Sequence, residues 1–160
     1  FLNYSTQNSQ WNTADATIIF TTGSHQLALP GVDLGQVPYG QPNPGYTNNF
    51  AWGTLEIASG GSLTLVDVNS GNGSTALYVG IITGLVFSEG KITNISGDFN
   101  IYYDPLLNPG LNYQTFAYAS GSGKLMSAMA APVPLPGSVW LLGTGLLGLF
   151  LVSRRIRRRR

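Results

Sequence analysis

Between Gly53 and Asp67 apolar and polar positions alternate almost residue by residue, with Leu55, Ile57, Leu63 and Leu65 separated by small or polar neighbours. A period of two sends successive side chains to opposite faces of an extended strand, so one face joins a core and the other meets water. Less regular beats recur in Ala76–Ile81 and in Ile92–Tyr103. Clusters of Gly, Asn, Ser and Pro separate these runs, which is turn chemistry between strands. The pattern predicts strands at Thr17–Thr21, Gln26–Leu29, Gly53–Ala58, Ser62–Val66, Ala76–Thr83, Lys91–Ile95, Asp98–Tyr103 and Gln114–Tyr118. None of these runs carries a helical stripe. Short strands with Gly-Ser corners resemble the rungs of parallel β-helices, in which each rung buries its face against the next. The expected fold is therefore all-β, as a β-solenoid-like body or, alternatively, a β-sandwich. Gly31–Asn49, with Pro38, Pro42 and Pro44 among glycines and asparagines, reads as a long surface excursion.

The pattern changes abruptly near the C-terminus. Ser138–Ser153 runs SVWLLGTGLLGLFLVS, sixteen residues without a charge. As a helix it covers about 24 Å, and the uncharged residues from Val133 to Gly137 bring the stretch to roughly the 20 residues that cross a bilayer core. Trp140, Leu141, Leu142, Leu146, Leu147, Leu149 and Phe150 supply the apolar anchor, and the glycines at 143, 145 and 148 allow close helix approach in lipid. A buried helix of a soluble fold is excluded, because six arginines follow at once and need solvent or a headgroup layer to receive them. The expectation is a single transmembrane helix at 138–153, ahead of a cluster formed by Arg154, Arg155, Arg157, Arg158, Arg159 and Arg160. By the positive-inside tendency that cluster stays cytoplasmic and the body lies across the membrane from it. This divides the chain into a body at 1–126, a linker at 127–132 and a tail at 133–160.

Charge takes on meaning only once it is placed. The 8 basic residues and 7 acidic ones give a net charge of +1, but with six arginines in the tail the body keeps only Lys91 and Lys124. A mildly acidic body with two cations is a poor partner for nucleic acid, which needs Lys and Arg along a phosphate track. The charged fraction is 9% with 21 glycines, against roughly 25% charge in ordinary soluble domains, and this suits a turn-rich β protein. The chain opens Phe1-Leu2-Asn3-Tyr4 with no basic region leading into an apolar one. It is therefore expected to be a mature or truncated product from which any export signal has gone.

The tail also carries a resemblance. Val133-Pro134-Leu135-Pro136-Gly137, followed by Ser138 to Gly148 and the arginine cluster, closely resembles the PEP-CTERM sorting signal of Gram-negative bacteria. Leu135 stands where the namesake motif has Glu between the two prolines. The resemblance implies recognition by exosortase, an integral-membrane cysteine transpeptidase that cleaves near the proline motif and sends the body to the cell surface or exopolysaccharide matrix. It implies as partners the lipid bilayer, an exosortase-type transpeptidase and exopolysaccharide, and no activity of the body itself. Parts of the body, such as Leu63–Asp67 and Asn100–Asp104, more weakly resemble bodies that accompany these tails. The other reading of the tail is an uncleaved anchor behind a proline linker, whose rings forbid helix and hold the segment extended.

The body's chemical inventory is thin. His25 is the one histidine and there is no cysteine, so a zinc shell of imidazoles or thiolates cannot be filled. His25 sits in a turn-like Gly-Ser-His-Gln setting and is expected to be an ordinary exposed residue. Asp67-Val68-Asn69-Ser70-Gly71-Asn72-Gly73 has the spaced oxygens of a calcium loop, but Tyr78 occupies the position of the closing Glu. A plain Asx/Gly turn is the simpler expectation. Asp98 and Asp104 are candidate paired carboxylates of a glycosidase, with strand-end solvation as the plainer reading. Trp11, Trp52, Tyr39, Tyr46, Tyr78, Tyr102, Tyr103, Tyr113 and Tyr118 are candidates for stacking sugars, or else for packing the core and capping strands. The expected role is a non-catalytic structural protein of the cell surface or matrix, without cofactor or metal. The alternative is a carbohydrate-binding surface module.

Overall fold

The computed structural model describes residues 1, 5, 7, 9, 11–67 and 74–133, and among them the regular structure is all-β. Ten strands follow one another as β1 (Thr13–Phe20), β2 (Gly23–Leu29), β3 (Trp52–Ile57), β4 (Gly61–Asp67), β5 (Ala76–Thr83), β6 (Phe87–Ser88), β7 (Lys91–Ser96), β8 (Asn100–Tyr103), β9 (Phe116–Ser120) and β10 (Lys124–Ser127). Short 3-10 turns lie at Pro44–Tyr46 and Pro109–Leu111.

Strand order shows how the chain winds. One ladder runs β1-β3-β5-β8-β10 and the other β2-β4-β7-β9, and every pairing within each ladder is parallel. The chain thus alternates between two stacks, laying each new pair of strands on the previous pair. Antiparallel pairing of β10 with β9 joins the stacks into one barrel-like sheet. The side chains of the alternating positions meet inside. Leu55, Ile57, Leu63, Leu65, Leu77, Val79, Ile101, Tyr103 and Leu125 belong to one buried cluster. Each fully buried side chain of this size contributes roughly 1.5–3 kcal/mol of hydrophobic stabilisation.

All eight expected strands are present, Ala76–Thr83 with the expected ends and the others with shifted ones. β1 begins at Thr13 rather than Thr17, β2 at Gly23, and β9 at Phe116 rather than Gln114. β6 and β10 had no counterpart in the pattern. β6 has only 2 residues, and β10 sends a single large apolar side chain, Leu125, into the core, so neither shows a period of two. Their existence is decided by the partners that β7 and β8 supply.

The excursion between β2 and β3 is more than a surface loop. It lies over the outer face of the first ladder, where Tyr78, Tyr102, Ala76, Ala51 and Ala128 form a second buried cluster with Tyr46 against it. Gly45 sits flat on the Tyr78 ring, and a Cβ there would come within 2.2 Å of it. Buried asparagines hold such segments where strand pairing stops. Asn43 donates to the Gly35 and Ala128 carbonyls at 2.9 and 2.7 Å. Asn49 accepts from Val32 N and donates to Val32 O. Asn108 donates to Gly80 O and Asp104 O and accepts from Ile82 N, and Asn94 bonds Gly84 O and Val86 N in the same manner. A buried side-chain amide with both ends satisfied replaces the missing ladder bonds.

Among the described residues no helix is long and apolar enough to cross a membrane. The expected span at 138–153, the segment Pro134–Gly137 and the arginine cluster lie outside the described residues, as does Val68–Gly73 of the candidate calcium loop.

Candidate functional site at the tail exit

The segment expected as a linker from 127 starts inside the fold. Ser127 ends β10 fully buried, opposite Tyr103 of β8, and Ala128 is 2% exposed. Ala128 N donates to Tyr103 O at 2.8 Å, so ladder bonding continues past the strand. Ser127 Oγ donates to Met129 O, closing a tight local turn.

From the other side the excursion clamps the same residues. Val37 forms a parallel bridge with Met129. Val37 N donates to Ala128 O at 3.1 Å and Ala130 N donates to Val37 O at 2.8 Å. The Gln36 amide donates to Ser127 O and Met129 O, and Gly40 N approaches the Met129 sulfur at 3.2 Å. Beyond Ala130 no hydrogen bond to the body is recorded among the described residues. Ala131, Pro132 and Val133 are exposed, Val133 at 86%. The body therefore releases its chain at one defined place, immediately ahead of the proline segment. Beside the exit lies a shallow cavity of about 310 Å³, walled by Gln41, Pro42, Tyr46, Asp104, Pro105 and Met129.

The other candidate residues are scattered. Asp98 lies in the corner between β7 and β8, accepting from Ser122 N at 2.8 Å and Ser122 Oγ at 3.0 Å, and these bonds hold its carboxyl below the usual carboxylate range. Asp104 follows β8 at the opposite end, where its Oδ1 accepts from Leu106 N. The two carboxylates thus sit at opposite ends of β8, with five residues between them and roughly 15 Å of chain, beyond the reach of a glycosidase pair. His25 lies on β2 rather than in a turn, with its ring nitrogen 2.8 Å from Thr21 O and its ring packed on Phe20. Among the described residues no three His, Cys, Asp or Glu side chains converge on one point.

The aromatic candidates divide by burial. Tyr78, Tyr102, Tyr103 and Tyr118 are buried, and Tyr78 stacks on Tyr102 with ring centroids 4.8 Å apart. Trp52 and Trp11 are half-buried around Phe1. Tyr39, 51% exposed, leans on half-buried Tyr113 at 6.2 Å. Burial pushes the Tyr78 and Tyr103 hydroxyls up to about 12, and Tyr46, Tyr102 and Tyr118 higher still. An unfolded tyrosine ionises near 10, so the folded state favours the neutral form. That contribution to stability is complete below about pH 10 and is lost as pH rises from there through 12. In a spectrophotometric titration these five tyrosines are expected to stay neutral at pH 10.5 and to ionise together with alkaline unfolding. Independent titration of all eight tyrosines near 10 in the folded protein would contradict this burial.

An all-β body that hands its chain, exposed and directed outward, to an apolar stretch and a terminal arginine cluster is a body carrying its own C-terminal sorting tail. The family model for the PEP-CTERM protein-sorting motif matches residues 132–160, beginning two residues after the last clamp at Ala130. The chain thus carries a PEP-CTERM sorting signal, which implies export, a C-terminal membrane anchor and recognition by exosortase, a membrane protein. No curated protein and no solved structure matches the chain.

Proposed function

We propose that this chain is a non-catalytic structural protein of the cell surface or exopolysaccharide matrix, held at the membrane by its tail until exosortase cuts it free. The observation that carries the reading is the exit geometry. Among the described residues the last backbone hydrogen bond to the body is at Ala130, and the next three residues are exposed, so a processing enzyme can grip the Val133–Gly137 segment without unfolding the body. The body left behind keeps its core and its clamp. Intact mass of protein recovered from cells tests this: a new C-terminus between about Ala130 and Gly137, present with exosortase and absent without it, is expected. Recovery of the chain ending at Arg160 from exosortase-competent cells would make the tail a permanent anchor.

A second reading, a carbohydrate-binding surface module, is favoured by one feature, the exposed Tyr39 beside Tyr113. Sugar rings stack on such open aromatic faces. Binding to exopolysaccharide that Tyr39→Ala abolishes would support this module over a purely structural role.

A further inference from the structure

The winding of the chain sorts its connections between two ends. Strands of the β1-β3-β5-β8-β10 ladder run toward the end where the tail leaves, and strands of the other ladder start there. The segments 21–22, 58–60, 84–90 and 104–115 therefore gather at the exit end, together with the tip of the excursion around Tyr39. The corners 97–99 and 121–123 lie at the opposite end.

The two ends differ in polarity. At the exit end Tyr39, Val86, Phe87, Leu106 and Leu107 are 51%, 53%, 44%, 62% and 53% exposed. Among the described residues the opposite corners, Gly97-Asp98-Phe99 and Gly121-Ser122-Gly123, carry none of the exposed large apolar side chains, and Phe1, Val32 and Leu34 are the ones that expose apolar surface nearer that end. The charged residues among the exit-end loops, Glu89, Lys91 and Asp104, leave it with no excess of positive charge for anionic lipid.

Chain length supplies the occupant. Only seven residues, 131 to 137, separate the last clamp from the apolar stretch. Whatever their path, they reach no farther than roughly 25 Å, less than the roughly 35 Å diameter of a body this size. The body cannot turn over on such a tether, so the exit end faces the bilayer. We infer that the exit-end loops dock on the membrane surface before processing, with Phe87, Leu106 and Leu107 entering the interfacial layer of zwitterionic lipid and holding the proline segment at headgroup depth. Exposed aromatic and leucine side chains partition into that layer without help from charge. This inference rests on the reading of the tail as a membrane span.

The test uses the full chain reconstituted by its own tail into phosphatidylcholine vesicles. The absence of native cysteine permits single nitroxide labels in the variants Phe87→Cys, Leu106→Cys, Ser74→Cys and Leu146→Cys. Collision with lipid-soluble oxygen is compared with collision with an aqueous nickel chelate. The expected result is an oxygen-to-nickel ratio at 87 and 106 at least about 5-fold above that at 74, with 146 highest. Water-like values at 87 and 106 with a lipid-like value at 146 would overturn the docking and leave the anchor intact. A water-like value at 146 would overturn the anchor as well. Shielding of 87 and 106 from both reagents would assign the patch to contact with a second copy of this chain and end the proposal.

Discussion

Gly121→Ala is expected to lower the stability of the body by roughly 3–5 kcal/mol, a large share of the roughly 5–15 kcal/mol that keeps a domain folded. Gly121 has φ +98°, where a side chain is strained by roughly 1–3 kcal/mol. A Cβ would also lie 2.2 Å from Gly97 O and 2.6 Å from Gly97 C, and backbone cannot yield as a side-chain tip can, which adds roughly 1–3 kcal/mol. The contact is part of the winding, because this corner stacks on the corner before it. Gly97 N donates to Ser120 O, Gly123 N donates to Gly97 O, and Asp98 caps Ser122. Gly110→Ala is the control, since a Cβ there meets nothing within 4 Å, and a change within about 0.5 kcal/mol is expected. Urea unfolding checks both: the midpoint should fall steeply for Gly121→Ala at unchanged slope. Equal midpoints for the two variants would mean that the corners do not stack as described.

The second large effect concerns the tail. Replacing Arg154, Arg155, Arg157, Arg158, Arg159 and Arg160 together by Ser is expected to reduce the membrane-bound fraction by well over 10-fold and to release chain that still ends at residue 160. Each arginine at the centre of a bilayer costs about 2.5–3.5 kcal/mol, so pulling all six across is opposed by roughly 15–20 kcal/mol. Attraction to anionic headgroups adds about 1 kcal/mol per residue on the cytoplasmic side. Without the cluster, the glycine-interrupted apolar stretch has nothing to stop it. A single Arg157→Ser should change little, because the remaining arginines suffice. Cell fractionation with intact mass of each fraction reads the outcome. Normal anchoring and processing of the sixfold variant would show that the cluster is dispensable.

How much of this protein is legible in its residues depends on the range of each signal. The tail reads directly, because proline motif, apolar run and arginine cluster follow in order within 28 residues, 133 to 160, and each acts through local properties of solvation and charge. The eight main strands read nearly as well, since alternation is a neighbour-to-neighbour pattern. The buried clips do not. Asn43 in a Pro-Asn-Pro sequence reads as an exposed turn, and its bond to Ala128 O spans 85 positions. Leu125 alone could not announce β10, and nothing near Val37 marks it as the residue that pins Ala130.

A turn-rich β body followed by a sorting tail can therefore be read from the residues alone, because strand periodicity, hydropathy and charge are written along the chain at short range. The folded chain was needed to choose between solenoid-like and sandwich bodies, with two parallel stacks joined by β9 and β10, and to show that the proline-rich excursion covers a tyrosine-lined face and that the tail leaves from an apolar end at Ala130. Those features arise where distant segments meet, and the hydrogen bonds and close contacts that fix them leave no period in the residues that make them.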